Sequence, residues 1–449
     1  MNAQPNGTLE RIEPETPPQD VAAAETTVCV VGLGYVGLPL AVGFDDADYD
    51  VIGYDIDEQI VETLRDGVDT TGDLGDDAIT ESEVEFTTRE SVIGDADFVL
   101  ITVPTPVADD QTPSMHFVEA AGETVGEHMS EGTTVVLEST VYPGATREAL
   151  IPALERGSGL ENGEEFFVGY SPERAVPGDD HHGLQNVVKI VSGQNDEVLD
   201  TVAELYDNVI DAGVHRAPSM EVAEAGKVVE NVQRDVNIAL VNELAMVFDE
   251  IGLDTREVIE AAGTKWNFHE YEPGLVSGHC IPVDPYFLTY QARRSGYAPD
   301  LIRVGREVNE SIADHVADLV VQALNESGTA PSNSRILVLG LTYKPDVADV
   351  RSSKIGDVLD ELSEYDIEFE AYDPYAPADV AQEEFGVELQ DTLTLENFDG
   401  VLLATPHEAF TTLSPQSICT ELNDTAAIVD VDAVFDRADV PDSAAYRRL

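Results

Sequence analysis

The chain has 449 residues, enough for two or three domains with hydrophobic cores of their own. Its 23 basic and 89 acidic residues give a formal net charge of −66, which argues against binding to nucleic acid or to anionic membranes. Acidic residues spread along a whole chain are typical of halophilic proteins, since molar salt shrinks the Debye length to about 3 Å.

The N-terminal stretch MNAQPNGTLERIEPETPPQD has neither the basic nor the apolar region of a signal peptide. We predict a disordered acidic tail over residues 1–25. No apolar run approaches the roughly 18 residues that a membrane span requires. We therefore expect a cytoplasmic protein with reduced cysteines and no membrane partner.

The first half of the chain alternates strand and helix patterns. Apolar, β-branched runs predict strands at 27–31, 51–55, 98–103, 133–140 and 166–170. Alternation of this kind predicts a parallel, doubly wound Rossmann-like domain, which we assign to residues 26–215.

The pattern then changes to long helices and returns to alternation. Two helices are predicted at 220–250 and 300–326, so residues 216–326 are expected to form a central all-helical domain for dimerisation and catalysis. Strands predicted at 335–340, 367–372, 400–405 and 426–431 indicate a second Rossmann-like domain over 327–449. The two α/β halves show no obvious sequence repeat.

The segment GLGYVG lies between the first strand and the following helix. Gly32, Gly34 and Gly37 allow the backbone around Tyr35 and Val36 to approach a pyrophosphate at the helix N-terminus. At the end of the next predicted strand, Asp55 is positioned to accept hydrogen bonds from an adenosine ribose. An acid here repels a 2′-phosphate, so we predict NAD rather than NADP.

Three polar side chains share one face of the first long helix. Lys227, Asn231 and Arg234 are spaced i, i+4 and i+7, and Ile238 and Val241 continue the same face. An ordinary solvated stripe is one interpretation. If the face is buried, Lys227 and Asn231 need a polar partner, and a substrate hydroxyl or oxyanion would supply it.

The loop GHCIPVDPYFL contains Cys280 between His279 and Ile281. A buried core thiol, a metal ligand and an activated nucleophile are the three interpretations of this cysteine. No metal-type spacing links it to His269, His279 or the pair His181–His182, so no metal is predicted. The flanking His, Pro and Asp favour the nucleophile.

These motifs together resemble the UDP-glucose/UDP-N-acetylmannosamine 6-dehydrogenase family over about residues 27–435. The resemblance is carried by the dinucleotide turn, by K-x-x-x-N-x-x-R-x-x-N from Lys227, and by G-H-C-x-P-x-D around Cys280. Further matches are VPTP, ESTVYPG, YSPER, NELA, GLTYKPDVADVR, YDPY and ATPH, all in the family's order.

What the resemblance implies is the oxidation of a sugar C6 alcohol to a carboxylate, with the reduction of two NAD⁺. Lys227 and Asn231 would stabilise the alkoxide and later the oxyanion. Cys280 would form a thiohemiacetal and then a thioester. Asp284 and Thr140 would position water, and Glu173 would be the general base for hydrolysis.

The resemblance also implies binding residues. Thr105 and Thr140 would line the nicotinamide side. The assigned substrate-binding residues are Glu173, Arg174, Lys227, Asn231, Arg234, Gly278, Lys344 and Arg351. The partner is a UDP-sugar, and a homodimer or a higher homo-oligomer is expected.

Within the family, the loop is closer to that of the UDP-N-acetylhexosamine enzymes, since Val283 stands where UDP-glucose enzymes have a Lys. We therefore expect UDP-N-acetylmannosamine as substrate, with UDP-N-acetylglucosamine as the close alternative and UDP-glucose as the next. Three residues depart from the family pattern: Leu275 and Ser277 replace glycines, and Asp432 replaces an Arg.

Two other functions compete with this interpretation. A non-catalytic nucleotide-sugar binder needs no thiol. A two-electron dehydrogenase of the 6-phosphogluconate type shares the arrangement of a Rossmann domain followed by helices, and it needs no Cys280. It would produce one NADH per substrate.

Overall fold

The computed structural model describes residues 21–108, 110–176, 181–422 and 426–449. Residues 1–20 of the predicted tail lie outside the described residues, whereas Val21 is buried and Ala23–Glu25 form a short 3-10 helix. The chain forms two compact units: residues 21–229 with Tyr286–Arg294, and Glu230–Pro285 with Ser295–Leu449. The domain limits expected from the sequence remain a proposal.

Unit 1 contains an α/β sheet followed by the first part of a long helix. Its elements in chain order are β1 (Thr27–Val31), α1 (Gly37–Asp45), β2 (Asp50–Tyr54), α2 (Glu58–Arg65), α3 (Asp76–Glu81), β3 (Glu85–Thr87), β4 (Phe98–Ile101), α4 (His116–His128), β5 (Thr134–Leu137), α5 (Ile151–Ser158), β6 (Phe167–Tyr170), β7 (Lys189–Gly193), α6 (Asp196–Asp207) and β8 (Val214–Arg216).

Within the described residues the sheet of unit 1 has eight strands in the order β3-β2-β1-β4-β5-β6-β7-β8. Neighbouring strands are parallel, except that β7 runs antiparallel to β6. The order reverses direction between β1 and β4, and ligands of doubly wound sheets bind at the carboxyl ends of the strands at such a switch point. The fold therefore places the GLGYVG turn, which follows β1, at the expected ligand site.

Unit 2 takes the rest of the long helix, a helical region and a second sheet. The elements are α7 (Met220–Ile251), in which the chain passes from unit 1 to unit 2, α8 (Thr255–Gly263), α9 (Asp284–Arg294), in which it passes back, α10 (Asp300–Ser327), β9 (Arg335–Leu339), α11 (Ile355–Glu364), β10 (Glu368–Tyr372), α12 (Ala378–Phe385), β11 (Gly400–Leu403), α13 (Pro415–Glu421), β12 (Ala426–Asp430) and β13 (Ala444–Arg448).

In the described part of unit 2 the sheet has five parallel strands, ordered β10-β9-β11-β12-β13. Apolar side chains of α10 and α11 pack on one face, and a second cluster around Phe398 and Phe410 packs on the other. The predicted fold class, two Rossmann-like α/β domains with a helical region between them in the sequence, is confirmed. No helix of the described chain combines the length and the apolarity needed to cross a bilayer.

The switch point of the second sheet is held by a buried aspartate at the end of β10. Asp373 Oδ2 accepts the N–H of Leu341 at 2.7 Å, and Oδ1 accepts the N–H of Tyr375 at 2.8 Å. His407 Nδ1 accepts the N–H of Asp346 at 2.9 Å, so its proton is on Nε2 and is donated to Asp373 at 3.0 Å. This carboxylate ties together the turns that follow β9, β10 and β11.

The same contacts set the acidity of Asp373. Burial acts to raise the pKa of this carboxyl, but hydrogen bonds from His407, Leu341 and Tyr375 lower it to about 2 from a usual 3.8. A depressed carboxyl pKa stabilises the fold above the unfolded-state pKa, and this stabilisation is lost as the pH falls through the folded-state pKa.

We predict that Asp373→Asn lowers the free energy of unfolding near neutral pH by about 2 kcal/mol, and that the difference shrinks between about pH 4 and pH 2. Denaturant unfolding of the full chain at constant salt measures both effects. Asp391→Asn, at an exposed position of the same unit, is the matched control and should change little. A deficit for Asp373→Asn that is constant down to pH 2 would contradict this account.

Candidate active site

The turn after β1 has the geometry of a dinucleotide site. Gly32 adopts a φ of +96°, and a Cβ on Gly37 would lie 1.8 Å from the Gly32 carbonyl oxygen, so both positions require glycine. A Cβ on Gly34 would meet no atom within 4 Å, which leaves open space above the turn. Asp55 Oδ2 accepts the Leu33 N–H at 2.8 Å and fixes the turn against the end of β2.

This turn fits NAD on its own geometry. The open space at Gly34 lies close to the N-terminus of α1, where backbone N–H groups favour a pyrophosphate. Asp55 is partly exposed, and a carboxylate with two oxygens retains acceptor capacity for ribose hydroxyls beyond its bonds to Leu33 and Asp57. Tyr35 is exposed beside the space, and Val36 is the N-cap residue of α1.

The carboxyl ends of β4 and β5 complete this edge of the sheet. The Thr105 hydroxyl donates to the Thr140 carbonyl at 2.7 Å, and the Ser139 hydroxyl donates to the Val103 carbonyl at 2.6 Å. The structure thus brings together Thr105 and Thr140, which the sequence assigned to the nicotinamide side. Thr102, to which the sequence analysis gave no role, donates to the Gly32 carbonyl at 2.8 Å and holds the turn from the neighbouring strand.

Glu173 lies in the segment after β6. Its Oε1 accepts the N–H groups of Arg174 and Ala175, both at 2.6 Å, and its Oε2 forms an ion pair with Lys189 at 2.9 Å. Burial acts to raise the pKa of Glu173, but the Lys189 charge and these hydrogen bonds hold it below its usual value. The Arg174 guanidinium donates to the Val188 carbonyl at 2.5 Å. Glu173 is therefore ionised at neutral pH, as a general base must be.

The predicted polar face of α7 is buried only in part. Asn231 is buried, Lys227 is half-buried and Arg234 is exposed, while Val241 continues the buried side. The Asn231 amide donates to Asp284 Oδ2 at 2.5 Å. Asp284, the first residue of α9, is also buried. Within unit 2 the structure therefore pairs two of the predicted catalytic residues.

Cys280 is exposed, which excludes the interpretation as a core thiol. Its carbonyl accepts the N–H groups of Val283 at 3.2 Å and Asp284 at 2.9 Å, so the cysteine directly precedes the tight turn that starts α9. In contrast, Cys29 is buried in β1, and burial raises the pKa of its thiol to about 12. Among the residues that the structure describes, no three His, Cys, Asp or Glu side chains are grouped to hold a metal ion.

The segment just before Cys280 is anchored on the turns of the second sheet. Gly278 has a φ of +88°, its N–H donates to the Ser352 carbonyl at 3.0 Å, and a Cβ would meet the Tyr343 ring at 3.0 Å. The Ser277 hydroxyl accepts the N–H of Lys354 at 2.9 Å. Ser277, a departure from the family pattern, thus adds an anchor that glycine lacks.

A buried chain of polar groups holds the start of the same loop, and sequence reasoning missed it. The Gly274 N–H donates to Asn242 Oδ1 at 2.9 Å, and Asn242 Nδ2 donates to the Gly274 carbonyl at 3.1 Å and to Asn309 at 2.9 Å. Asn309 donates to Asp235 at 2.8 Å, and Arg306 donates to the same oxygen at 2.6 Å. The available signal was Asn242 in the NELA motif, a polar residue on the buried face of a helix.

The other two departures lie elsewhere in unit 2. Leu275 packs against the hydrophobic core of the second sheet. Arg256 donates to the Asp432 carbonyl and also pairs with Glu272 at 3.0 Å, so a guanidinium lies beside Asp432. Burial and the charge of Asp430 raise the pKa of Asp432 to about 6, against the effect of Arg256.

The predicted substrate-binding cations of the last domain lie in and after the turn that follows β9. Lys344 is half-buried, and its carbonyl accepts the Thr342 hydroxyl at 2.9 Å. Arg351 is exposed and donates two hydrogen bonds to Asp349, at 3.0 and 2.9 Å. Arg351 must therefore share its guanidinium between Asp349 and any diphosphate.

The two nucleotide-type turns share a pattern that the sequence analysis did not recognise. GLGYVG after β1 and GLTYKP after β9 both start with a glycine at positive φ, and each neighbouring strand ends in Tyr-Asp. In the second turn Thr342 and Pro345 replace Gly34 and Gly37. Bare backbone is lost there, so contact with a ligand passes to side chains such as Lys344.

Two glycine variants separate cofactor binding from folding in the first turn. Gly34→Ala adds a methyl group that meets no protein atom, so we expect wild-type thermal stability and NAD affinity lower by at least about tenfold. Gly37→Ala must open the turn and should lower the melting temperature as well. Calorimetric titration with NAD and thermal unfolding measure the pair. Wild-type NAD affinity in Gly34→Ala would show that the cofactor does not approach this turn.

Comparison with known proteins agrees with these features. Residues 26–210, 221–311 and 337–437 match the NAD binding, central and UDP binding domains of the UDP-glucose/GDP-mannose dehydrogenase family. Protein CapL of Staphylococcus aureus is 46% identical, with 85% of this chain and 90% of that protein covered. The UDP-N-acetyl-D-glucosamine 6-dehydrogenase of Pseudomonas aeruginosa is 43% identical, with 87% and 93% covered.

Among solved structures, the UDP-D-ManNAc dehydrogenase of Pyrococcus horikoshii superposes with a TM-score of 0.85 at 30% identity, and 94% of this chain and 98% of that chain are covered. The family resemblance expected from the motifs is confirmed. The chain belongs to the UDP-glucose/GDP-mannose dehydrogenase family of NAD-dependent oxidoreductases, and residues 26–210 are its NAD-binding domain.

Proposed function

We propose that the protein is a UDP-N-acetylhexosamine 6-dehydrogenase that converts the C6 alcohol of the sugar into a carboxylate. The observation that carries the proposal is the exposed Cys280, placed one turn before Asp284, whose carboxylate binds the Asn231 amide. A thiol, a carboxylate and an amide in this order suit covalent capture of an aldehyde followed by hydrolysis. A binding protein needs none of them.

The chain's own residues have distinct roles in the proposed reaction. NAD⁺, when bound, accepts two electrons in each of two oxidations. Lys227 and Asn231 stabilise the negative oxygen at C6. The Cys280 sulfur bonds to C6 of the aldehyde, giving a thiohemiacetal whose oxidation yields a thioester.

Hydrolysis of the thioester then releases the product. Asp284 and Thr140 position a water molecule, Glu173 accepts its proton, and the carbon–sulfur bond breaks to return the Cys280 thiol. Covalent capture keeps the reactive aldehyde on the enzyme until the second oxidation. Two NAD⁺ are reduced for each sugar.

Binding of the UDP-sugar is assigned to cations and backbone of both units. Arg174, Arg234, Lys344 and Arg351 are proposed to bind the diphosphate and the sugar, and Gly278 leaves room for close approach to the backbone. In a chain with 23 basic residues, four of them assigned to one ligand are a large share. The positive side chains counter the general repulsion of a diphosphate by the acidic surface.

The sugar is an N-acetylhexosamine rather than glucose on two grounds. Val283 replaces the Lys expected of UDP-glucose enzymes, and the compared relatives with named substrates act on N-acetylated sugars. The UDP-N-acetylglucosamine enzyme is 43% identical and the UDP-N-acetylmannosamine enzyme 30% identical. UDP-N-acetylglucosamine is thus the first substrate to test, and the expectation of UDP-N-acetylmannosamine stays a prediction, as does the cytoplasmic location.

We expect the purified protein in high salt to form two NADH per UDP-N-acetylhexosamine, and to turn over UDP-glucose at least about tenfold less efficiently. The measurement counts NADH against sugar consumed for UDP-N-acetylglucosamine, UDP-N-acetylmannosamine and UDP-glucose. A count of one indicates a two-electron dehydrogenase. No NADH with any of the three sugars rejects the proposed activity.

The covalent step has its own variant. Cys280→Ser should bind the UDP-sugar with unchanged affinity and form no carboxylate, because a serine hydroxyl is a poor nucleophile at neutral pH. Cys419→Ser removes a half-buried thiol from another helix and serves as the control. Carboxylate production at the wild-type rate by Cys280→Ser would remove the thioester from the mechanism.

Self-association is proposed through the helical region of unit 2. Leu240, Val247 and Ile251 are exposed along α7, Leu301 is exposed on α10, and Trp266 is 91% exposed. Large apolar side chains on an otherwise acidic surface fit a second copy of the chain, whose like charge molar salt would screen. We expect a dimer by sedimentation, and a monomer for Leu240→Glu/Val247→Glu. A monomeric wild type at micromolar concentration would contradict this.

A further inference from the structure

Unit 1 contains a buried lysine that the proposed mechanism does not use. Lys189, the first residue of β7, exposes 2% of its side chain. Its ammonium lies 2.8 Å from Glu138 Oε2 and 2.9 Å from Glu173 Oε2. A charge this deep persists only where its partners compensate for the lost hydration. Glu173 is the proposed general base, so the lysine touches a residue of the reaction.

The antiparallel pairing of β7 places Lys189 at the active edge of the sheet. Tyr170, the last residue of β6, pairs with Ser192, so the chain after β6 runs beside the start of β7. Glu138 directly follows β5, and Glu173 follows β6. Had β7 been parallel, Lys189 would lie at the opposite end of the sheet.

The charged cluster has a buried end and an open end. The Tyr206 hydroxyl of α6 donates to Glu138 Oε1, and the Lys189 ammonium lies 5.5 Å from the centroid of the Tyr206 ring. Glu138 exposes none of its side chain, whereas Glu173 exposes 15%. The hydrogen-bonded series Tyr206, Glu138, Lys189 and Glu173 thus opens outward at the carboxylate that would meet water.

The environment drives the two carboxylates apart in acidity. Burial raises the pKa of Glu138 to about 7, against the effect of Lys189. For Glu173, burial acts in the same direction, but the Lys189 charge and two backbone N–H groups bring the pKa below its usual value. Burial lowers the pKa of Lys189, but the two carboxylates more than offset this. Divergent acidity within one cluster is typical of separate acid and base roles.

We propose that Lys189 is a positioning residue for thioester hydrolysis: it holds the Glu173 carboxylate ionised and directed outward, and Glu138 keeps the lysine charged. This inference rests on the proposed role of Glu173 as general base. The titratable groups on the elements packed around Glu173 are Lys189, Glu138, Tyr206 and the adjoining Arg174, whose guanidinium is directed to Val188.

The test is the pH dependence of carboxylate formation in a single turnover with UDP-N-acetylglucosamine or UDP-N-acetylmannosamine. Lys189→Met/Glu138→Gln removes one positive and one negative charge together, so Glu173 loses its counter-ion without a second stranded carboxylate. We expect the midpoint of the acid limb to rise by about one to two pH units, since an opposite charge lowers a carboxyl pKa by about that much. The first oxidation, seen as one NADH per site, should keep its rate.

Two further variants fix the sign of the effect. Lys189→Arg retains the charge and should leave the acid limb within about half a unit of wild type. Glu138→Gln removes a negative charge and should move the limb to lower pH, because the lysine then serves Glu173 alone. If the double variant does not fold, these two still decide, since a merely structural ion pair predicts lower stability in Glu138→Gln and no shift of the limb.

The outcomes separate this inference from the function on which it rests. A folded double variant with an unmoved acid limb, or a Glu138→Gln limb that stays or rises, overturns the role of Lys189. Glu173→Gln that forms carboxylate at the wild-type rate instead overturns the role of Glu173 as base. Glu173→Gln that stops at the thioester, detected as added mass on Cys280, together with the predicted shifts, supports both.

Discussion

In each sheet, a strand at the switch point ends in a glycine at positive φ, and the next N–H is fixed by an aspartate from the neighbouring strand. Gly32 and Gly340 have φ values of +96° and +86°, and the N–H groups of Leu33 and Leu341 donate to Asp55 and Asp373 at 2.8 and 2.7 Å. The turn can be this tight only because no Cβ intrudes and the buried N–H is satisfied. Everything that a ligand meets at these edges is placed relative to that hydrogen bond.

From this shared arrangement the two sites diverge through the demands on the aspartate. Asp55 is partly exposed and accepts bonds from two N–H groups, so acceptor capacity remains for a ribose. Asp373 is buried and receives the N–H groups of Leu341, Thr342, Tyr375 and Ala376 as well as the His407 imidazole. It has no capacity left for a sugar hydroxyl. The second turn is therefore suited to a ligand held by side chains, in agreement with a UDP-binding rather than a dinucleotide-binding domain.

Basic residues are scarce in this chain, and two of them are buried. Lys189 and Arg306 are both buried, each between carboxylates: Glu138 and Glu173 in one unit, Asp235 and Glu310 in the other. Surface ion pairs are weak when salt screens them, whereas buried pairs keep their strength. A protein with a net charge of −66 can thus organise its interior with a few cations while its surface stays acidic.

Local sequence determined the glycine turn, the Asp55 acceptor, the two long helices and the strands made of continuous apolar residues, since each depends on residues close in the chain. It did not reveal β7 or β13, because a buried Lys189 and two arginines interrupt the apolar pattern. Nor did it reveal the Asn242 clamp on Gly274, which joins residues far apart in sequence. The motif YSPER pointed to Glu173, but only the antiparallel reversal of β7 placed a lysine against it. Hydrogen-bond partners across a sheet follow from strand order and direction, and tertiary packing alone decides both.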